Sequence, residues 1–254
     1  MLWYKAWLDT RSRFWIGLVL LTVMAGGIVA EFPQVQRMLP LVDEAPVDAS
    51  DAVSQALARA ADLSRTFRGF VWHQWFQGNA VMLGALFAAL LGTSRLFSSS
   101  TRGLLFTLCL PASRRRWLAT RAATGLAELL ALTVLPALVI PLLAPLVGQH
   151  YGVGDALVHA LCTFVGAAAY FGLALLLSTI FQDTWRPILI VSLIAVCATF
   201  LDLLVPNGLG LLRVLSAEDY FRGGSLPWTG LGVFAVAAAG LLYATARNVE
   251  RLDF

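Results

Sequence analysis

Two carboxylates sit inside otherwise apolar stretches, Glu128 and Asp202, and both are candidates for chemistry because an ionised group in a bilayer is costly. Glu128 follows Arg121 by seven residues, two helical turns, so a helix puts both on one face, near the inner end of its span. That position fits either a pairing partner for the arginine or a coupling group. Asp202 precedes Pro206 and belongs near the outer end of its helix, as an interfacial group. A proton carrier or an intramembrane protease needs paired acids or a nucleophile at mid-depth, and the spacing offers neither.

The three histidines, His73, His150 and His159, all fall toward the outer side, without the convergent spacing that a metal needs. Cys109, Cys162 and Cys197 are an odd number without CxxC spacing, which argues for buried small hydrophobes and against a disulfide framework or metal site. A nucleotide-binding P-loop requires GxxxxGK[ST], and the single lysine, Lys5, has no glycine before it. GxSxG, HExxH and EF-hand patterns are also missing, so the sequence predicts that the chain is not itself an enzyme.

The elements that carry these groups are set by composition. The chain has 254 residues, 59% hydrophobic and only 13% charged. Soluble domains carry about 25% charged residues, so the chain belongs to another class. Runs free of Asp, Glu, Lys and Arg, the fifth of them extended past Asp202, give six candidate spans, since a bilayer core takes about 20 apolar residues. The sequence predicts spans at 14–30, 70–94, 122–148, 156–182, 187–205 and 227–247 in a single transmembrane domain covering 1–254. Residues 1–13 (Trp3, Lys5, Trp7, Arg11 and Arg13) read as an amphipathic helix in the inner interface, against anionic lipid. The fold class is thus an all-α polytopic membrane protein.

Orientation follows from the basic residues of the short loops. With both termini cytoplasmic, twelve Lys and Arg fall inside and six outside, while nine acids, from Glu31 to Asp219, fall outside. The net charge of +3 is a topology signal, and nucleic acid is not an implied partner. The outer segment 31–69 reads as irregular in its proline-rich first half. Its second half is helical, with Val53, Leu57, Ala60, Ala61, Ser64 and Phe67 at helical spacing. Gly166, Ala167, Ala168, Ala169 and Gly172 make a small-residue face on the fourth span for close packing. Pro136, Pro141 and Pro145 predict a bent third span. The outer loop 206–226 reads as a short amphipathic segment dipping back toward the membrane. Trp228, and likewise Trp72 and Trp75, read as interfacial anchors.

The cytoplasmic segment 95–121 contains TRGLLFTLCLPASRRRWLATRA, an apolar run closed by Pro111 and three arginines, Arg114, Arg115 and Arg116. This stretch resembles the segment between the second and third helices of ABC-2 type transporter permeases, a "sLPvSR" run opening on glycine. Gly103, Leu108, Leu110, Pro111, Ser113, Arg114 and Arg121 take those places. The amphipathic entry KAWLDTRSRFW, the ending ARNVERLDF and the six-span layout are similar to that family too.

The resemblance implies a type V exporter-like permease in a bacterial cytoplasmic membrane, paired with a second permease copy. It also implies two separate ATP-binding subunits that hold the ATP and Mg, this chain binding no cofactor. The cytoplasmic segment then forms a coupling helix: Leu104, Leu105, Phe106 and Leu108 pack in a groove of the ATPase, with Arg102, Gly103, Pro111, Ser113 and Arg114 around them. In the family the second and fifth helices line the dimer axis, which implies Asn79, Met82, Phe87, Ser192 and Thr199 as cavity candidates for a hydrophobic or amphipathic cargo. An alternative stays open. A membrane component of this kind can pass ATPase motion to an extracytoplasmic partner without carrying cargo, as in nitrous oxide reductase maturation, with the 31–69 loop as contact surface.

Overall fold

The computed structural model describes residues 2–43, 52–93, 114–181, 183–204 and 210–251. All regular structure among them is helical. The elements are α1 (Leu2–Asp43), α2 (Ala52–Ser64), α3 (Phe67–Gly92), α4 (Arg114–Leu143), α5 (Val153–Ile180) and α6 (Trp185–Leu204). Two short helices, α7 (Leu211–Leu215) and α8 (Glu218–Phe221), precede α9 (Trp228–Arg251). Six of these helices, α1, α3, α4, α5, α6 and α9, are long and apolar enough to cross a membrane. The protein is therefore an all-α, multi-pass membrane protein.

The hub is α5, which packs against α9, α3, α4, α6 and α7, while α1 lies mainly along α4. Its capacity for neighbours comes from small side chains: Ala156, Ala160, Gly166, Ala167 and Ala174 are buried on it. In lipid, where burying apolar groups between helices gains little, close approach supplies the dispersion contacts that hold spans together. At Gly166 the approach is closest. A methyl group there would lie 1.9 Å from Leu215 Cδ2, so the Leu215 side chain of α7 is seated on the α5 backbone at this glycine. By contrast α6 and α9 present Leu189, Leu193, Phe200, Val233 and Val236 outward, toward lipid.

Several boundaries differ from those read in the sequence. The interfacial helix expected at 1–13 and the first span at 14–30 are one unbroken helix. It continues to Asp43 with Pro33 and Pro40 inside it, where the sequence suggested irregular chain. At 42 residues it is roughly 60 Å long, about twice the bilayer core, so it leaves the membrane as a helix. Pro33 and Pro40 sit seven residues apart on one face, in the part that emerges into water. There the carbonyls they leave without an amide donor can be solvated. The second span starts earlier, at Phe67, after Thr66 caps it by accepting from the Gly69 amide at 3.1 Å, and it includes a π-helical stretch, Trp72–Asn79. The third span also starts earlier, at Arg114, so Arg114–Arg121 are its first two turns. It runs through Pro136 and Pro141 and tightens to a 3₁₀ turn at Ala144–Val147, which Gly148 ends at φ 69°.

Trp72 and Trp75 are not interfacial anchors. Both are buried at 2% exposure inside the bundle, while Trp228 is 70% exposed as an anchor would be.

Candidate functional site

A groove of about 200 Å³ runs between α3 and α6, the second and fifth spans. Met82 and Leu86 from α3, Tyr170 from α5, and Ser192, Val196 and Thr199 from α6 line it. Its walls are apolar with few polar atoms. The Thr199 hydroxyl is used within its own helix, donating to the Ala195 carbonyl at 2.9 Å. The Ser192 hydroxyl is buried and has no hydrogen-bond partner. Such a donor, held in an apolar wall, rewards any ligand or water that supplies an acceptor.

Of the five cavity candidates, the structure places Met82, Ser192 and Thr199 in this groove. The other two lie elsewhere. Phe87 is buried on the opposite side of α3, its ring against Gly17 of α1. Asn79 donates to the Gln74 carbonyl at 2.8 Å, closing the π-helical stretch of its own helix. Tyr170 was missed. Its only sequence signal is a hydroxyl-bearing ring in mid-span, which does not say which neighbour it faces.

At the end of the bundle that holds the start of α1, polar side chains of α1 and α4 converge on the end of α3. Arg13 Nη1 donates to the Leu90 and Thr93 carbonyls at 2.6 and 2.7 Å. Arg121, 3% exposed, donates from Nη2 to the Leu91 carbonyl at 3.1 Å and from Nη1 to the Ala6 carbonyl at 3.2 Å. Glu128, 4% exposed, accepts from the Thr10 hydroxyl at 2.6 Å, and its second oxygen has no partner. Glu128 and Arg121 thus share a helix face, as their spacing predicts, but each hydrogen-bonds α1 and neither bonds the other.

Of the ATPase-coupling residues inferred from sequence, Arg102, Gly103, Leu104, Leu105, Phe106, Leu108, Pro111 and Ser113 lie outside the described residues. Arg114 begins α4.

At the opposite end, expected from the sequence to be the outer one, α7 and α8 fold back into the bundle. The Ser216 carbonyl accepts from Trp72 Nε1 at 3.0 Å and from His159 Nδ1 at 2.9 Å, with both rings buried. A carbonyl only accepts, so His159 is protonated on Nδ1 and its Nε2 carries a buried, unpartnered lone pair. Phe221 stacks on Trp72 with ring centroids 4.4 Å apart, and Tyr220 donates to Asp155 at 3.0 Å. Asp155 also pairs with Arg68 at 3.4 Å. Asp202 caps α7, accepting from the Leu212 amide at 2.7 Å, which is a structural duty at the outer end of α6. His73 bonds Gln77 at 2.8 Å and His150 is exposed, so the three histidines do not converge. Among the described residues, no three of His, Cys, Asp and Glu form a group that could hold a metal ion.

The arrangement is therefore an apolar groove between two spans, in a bundle whose α3 is held by buried polar contacts at both ends, and it is suited to binding an apolar molecule or another helix. The chain matches no protein-family model, no curated protein and no solved structure.

Proposed function

We propose that this chain is the membrane-spanning permease subunit of an ATP-driven transporter of the ABC-2 type, working as a homodimer in a bacterial cytoplasmic membrane. Its cargo, hydrophobic or amphipathic, is exported, and ATP and Mg are bound by a separate ATP-binding subunit docked on residues 95–121. The observation that carries this reading is the apolar groove between the second and fifth spans, with Met82, Ser192 and Thr199 on its walls. It supports a cargo path or subunit seam at those two helices. The basic, apolar segment that follows the second span gives the ATPase its place.

The test is co-purification in detergent with the ATP-binding protein encoded beside the chain, as wild type and as L105D/F106D. The ATPase is expected to elute with wild type and to be lost from the variant. An ATPase that binds neither form refutes the proposal.

One observation favours a second reading, transmission of ATPase motion to an extracytoplasmic partner. The emergent part of α1 is braced, with Gln36 donating to the Ser64 and Arg65 carbonyls at 3.3 and 3.1 Å and Phe32 against Phe67 and Phe70. A stiff rod of this kind passes movement outward. Capture of a periplasmic protein by residues 31–69, with ATPase activity indifferent to any cargo, would favour it.

A further inference from the structure

The carbonyls at the end of a helix have no amide partners within it, and in a membrane each must find a donor. At the end of α3 the donors are two arginines from other helices. Arg13 of α1 holds the Leu90 and Thr93 carbonyls, and Arg121 of α4 holds that of Leu91 while its other terminal nitrogen holds Ala6 of α1. The positive guanidinium groups also complement the negative end of the helix dipole. Thr10 and Glu128 add a second α1–α4 link one turn farther along α1. Arg13 reaches the chain's exit from α3 at Thr93, and Arg121 is the last residue of the 95–121 segment, so the two contacts lie at the two flanks of the segment assigned above to the ATPase.

We infer that Arg13 and Arg121 are positioning residues that clamp the inner end of α1 to both flanks of the 95–121 segment, so that displacement of that segment is delivered to the first helix. The force-transmitting part rests on the permease reading, whereas the clamp itself does not. Backbone carbonyls are suited to this duty because they cannot rotate away, so the arginines fix the helix ends themselves. The clamp also gives α1 a role beyond membrane anchorage, since the same unbroken helix emerges on the outer side.

The experiment uses the full chain in lipid nanodiscs, with the native cysteines replaced and nitroxide labels at Leu8→Cys and Leu90→Cys. Both positions keep their backbone carbonyls, and Leu8 is exposed. Double electron–electron resonance is expected to give a narrow distance distribution for the parent chain. Its width should at least double in R13Q and in R121Q and stay narrower in R13K, whose ammonium keeps the charge and three donors. Arg13 is only half-buried, so R13Q decides the matter even if R121Q does not fold. With the ATPase bound and trapped by ADP and vanadate, the Leu8 label of the parent chain is expected to change its line shape. R13Q is expected to keep the ATPase and lose that response, which a merely structural arginine would leave intact. A narrow distribution in R13Q, or a preserved Leu8 response, overturns the inference. If no ATPase binds the parent chain the permease reading fails instead, and the widths still decide whether the clamp exists.

Discussion

Substituting Gly92 by alanine tests whether α3 and α5 touch through their backbones. Gly92 is the last residue of α3, and a methyl group on it would lie 2.7 Å from both the Phe171 carbonyl oxygen and Ala174 Cβ. Neither is the end of a flexible side chain, so the helices themselves must part. Overpacking of this kind costs about 1–3 kcal/mol, partly masked by the gain of roughly 0.5–1 kcal/mol when alanine replaces glycine in a helix. Gly240 on α9 supplies the correction, because it is exposed and nothing lies within 4 Å of the added methyl. The difference between G92A and G240A therefore isolates the contact. At about 2–4 °C per kcal/mol for a chain of this size, G92A should unfold roughly 2–12 °C below G240A. Thermal unfolding in one detergent, followed by tryptophan fluorescence, measures it. Equal melting temperatures would show that α3 and α5 are not in backbone contact and would remove the close-packed hub from the argument.

Two further outcomes are expected at the outer end. Trp72 and His159 give the Ser216 carbonyl two donors, so W72F and H159F should each cost about 1 kcal/mol. The double variant should cost more than their sum, because it alone leaves a buried acceptor unpaired; strict additivity in unfolding measurements would refute the shared-carbonyl geometry. Tyr220 is held above the usual phenol range chiefly by its hydrogen bond to Asp155, and Tyr151 is pushed up chiefly by burial. A raised folded pKa contributes stability that is complete below the unfolded phenol value of about 10 and is lost as pH rises through the folded value. Phenolate absorbance should therefore lag a free phenol on alkaline titration, D155N should return Tyr220 toward the usual range, and unfolding should begin as the lagging phenols ionise. Two phenols that titrate in the ordinary range would contradict this.

The six spans were legible because each is a run of about bilayer length with at most one charged residue, a property of sequence alone. The long reach of α1 was not, since prolines such as Pro33 and Pro40 are read as breakers although a water-exposed helix tolerates them. The site was legible in part for a different reason. Ser192, Thr199 and Met82 were reached through the resemblance, which implies the second and fifth helices at the dimer axis, and the same step named Asn79 and Phe87, which lie elsewhere. Glu128 was marked out by its charge, but its partner Thr10 lies 118 positions away. Arg13, Arg121, Trp72 and His159 all bond backbone carbonyls, which carry no residue signature. Trp72 and Trp75 were misread because a tryptophan near a span end suits an interface, whereas here Phe221 of an inward-folded segment covers Trp72 and Trp75 joins the bundle core.

The groove also says which helix can part from the bundle at least cost. Most of the bundle shares one continuous core that includes Phe14, Phe70, Leu129 and Phe171. On α6, Val191 instead joins a small separate cluster with Ala89 of α3 and Ala174 of α5. The Asp202 cap on α7 ties α6 to the rest of the bundle near its C-terminal end. Arg186 pairs locally with Asp183. Apolar packing between a span and its neighbours can be exchanged for packing against lipid tails at little cost, because the tails are as apolar as the side chains they replace. The inner end of α3, in contrast, is held by charged donors on carbonyls that lipid cannot satisfy. On the permease reading, movement at the flanks of the 95–121 segment would meet its weakest resistance along the α3–α6 seam, with the Asp202 cap as the remaining polar tie. Widening that seam would enlarge the space beside Ser192 without breaking the hydrogen bonds that Arg13 and Arg121 make.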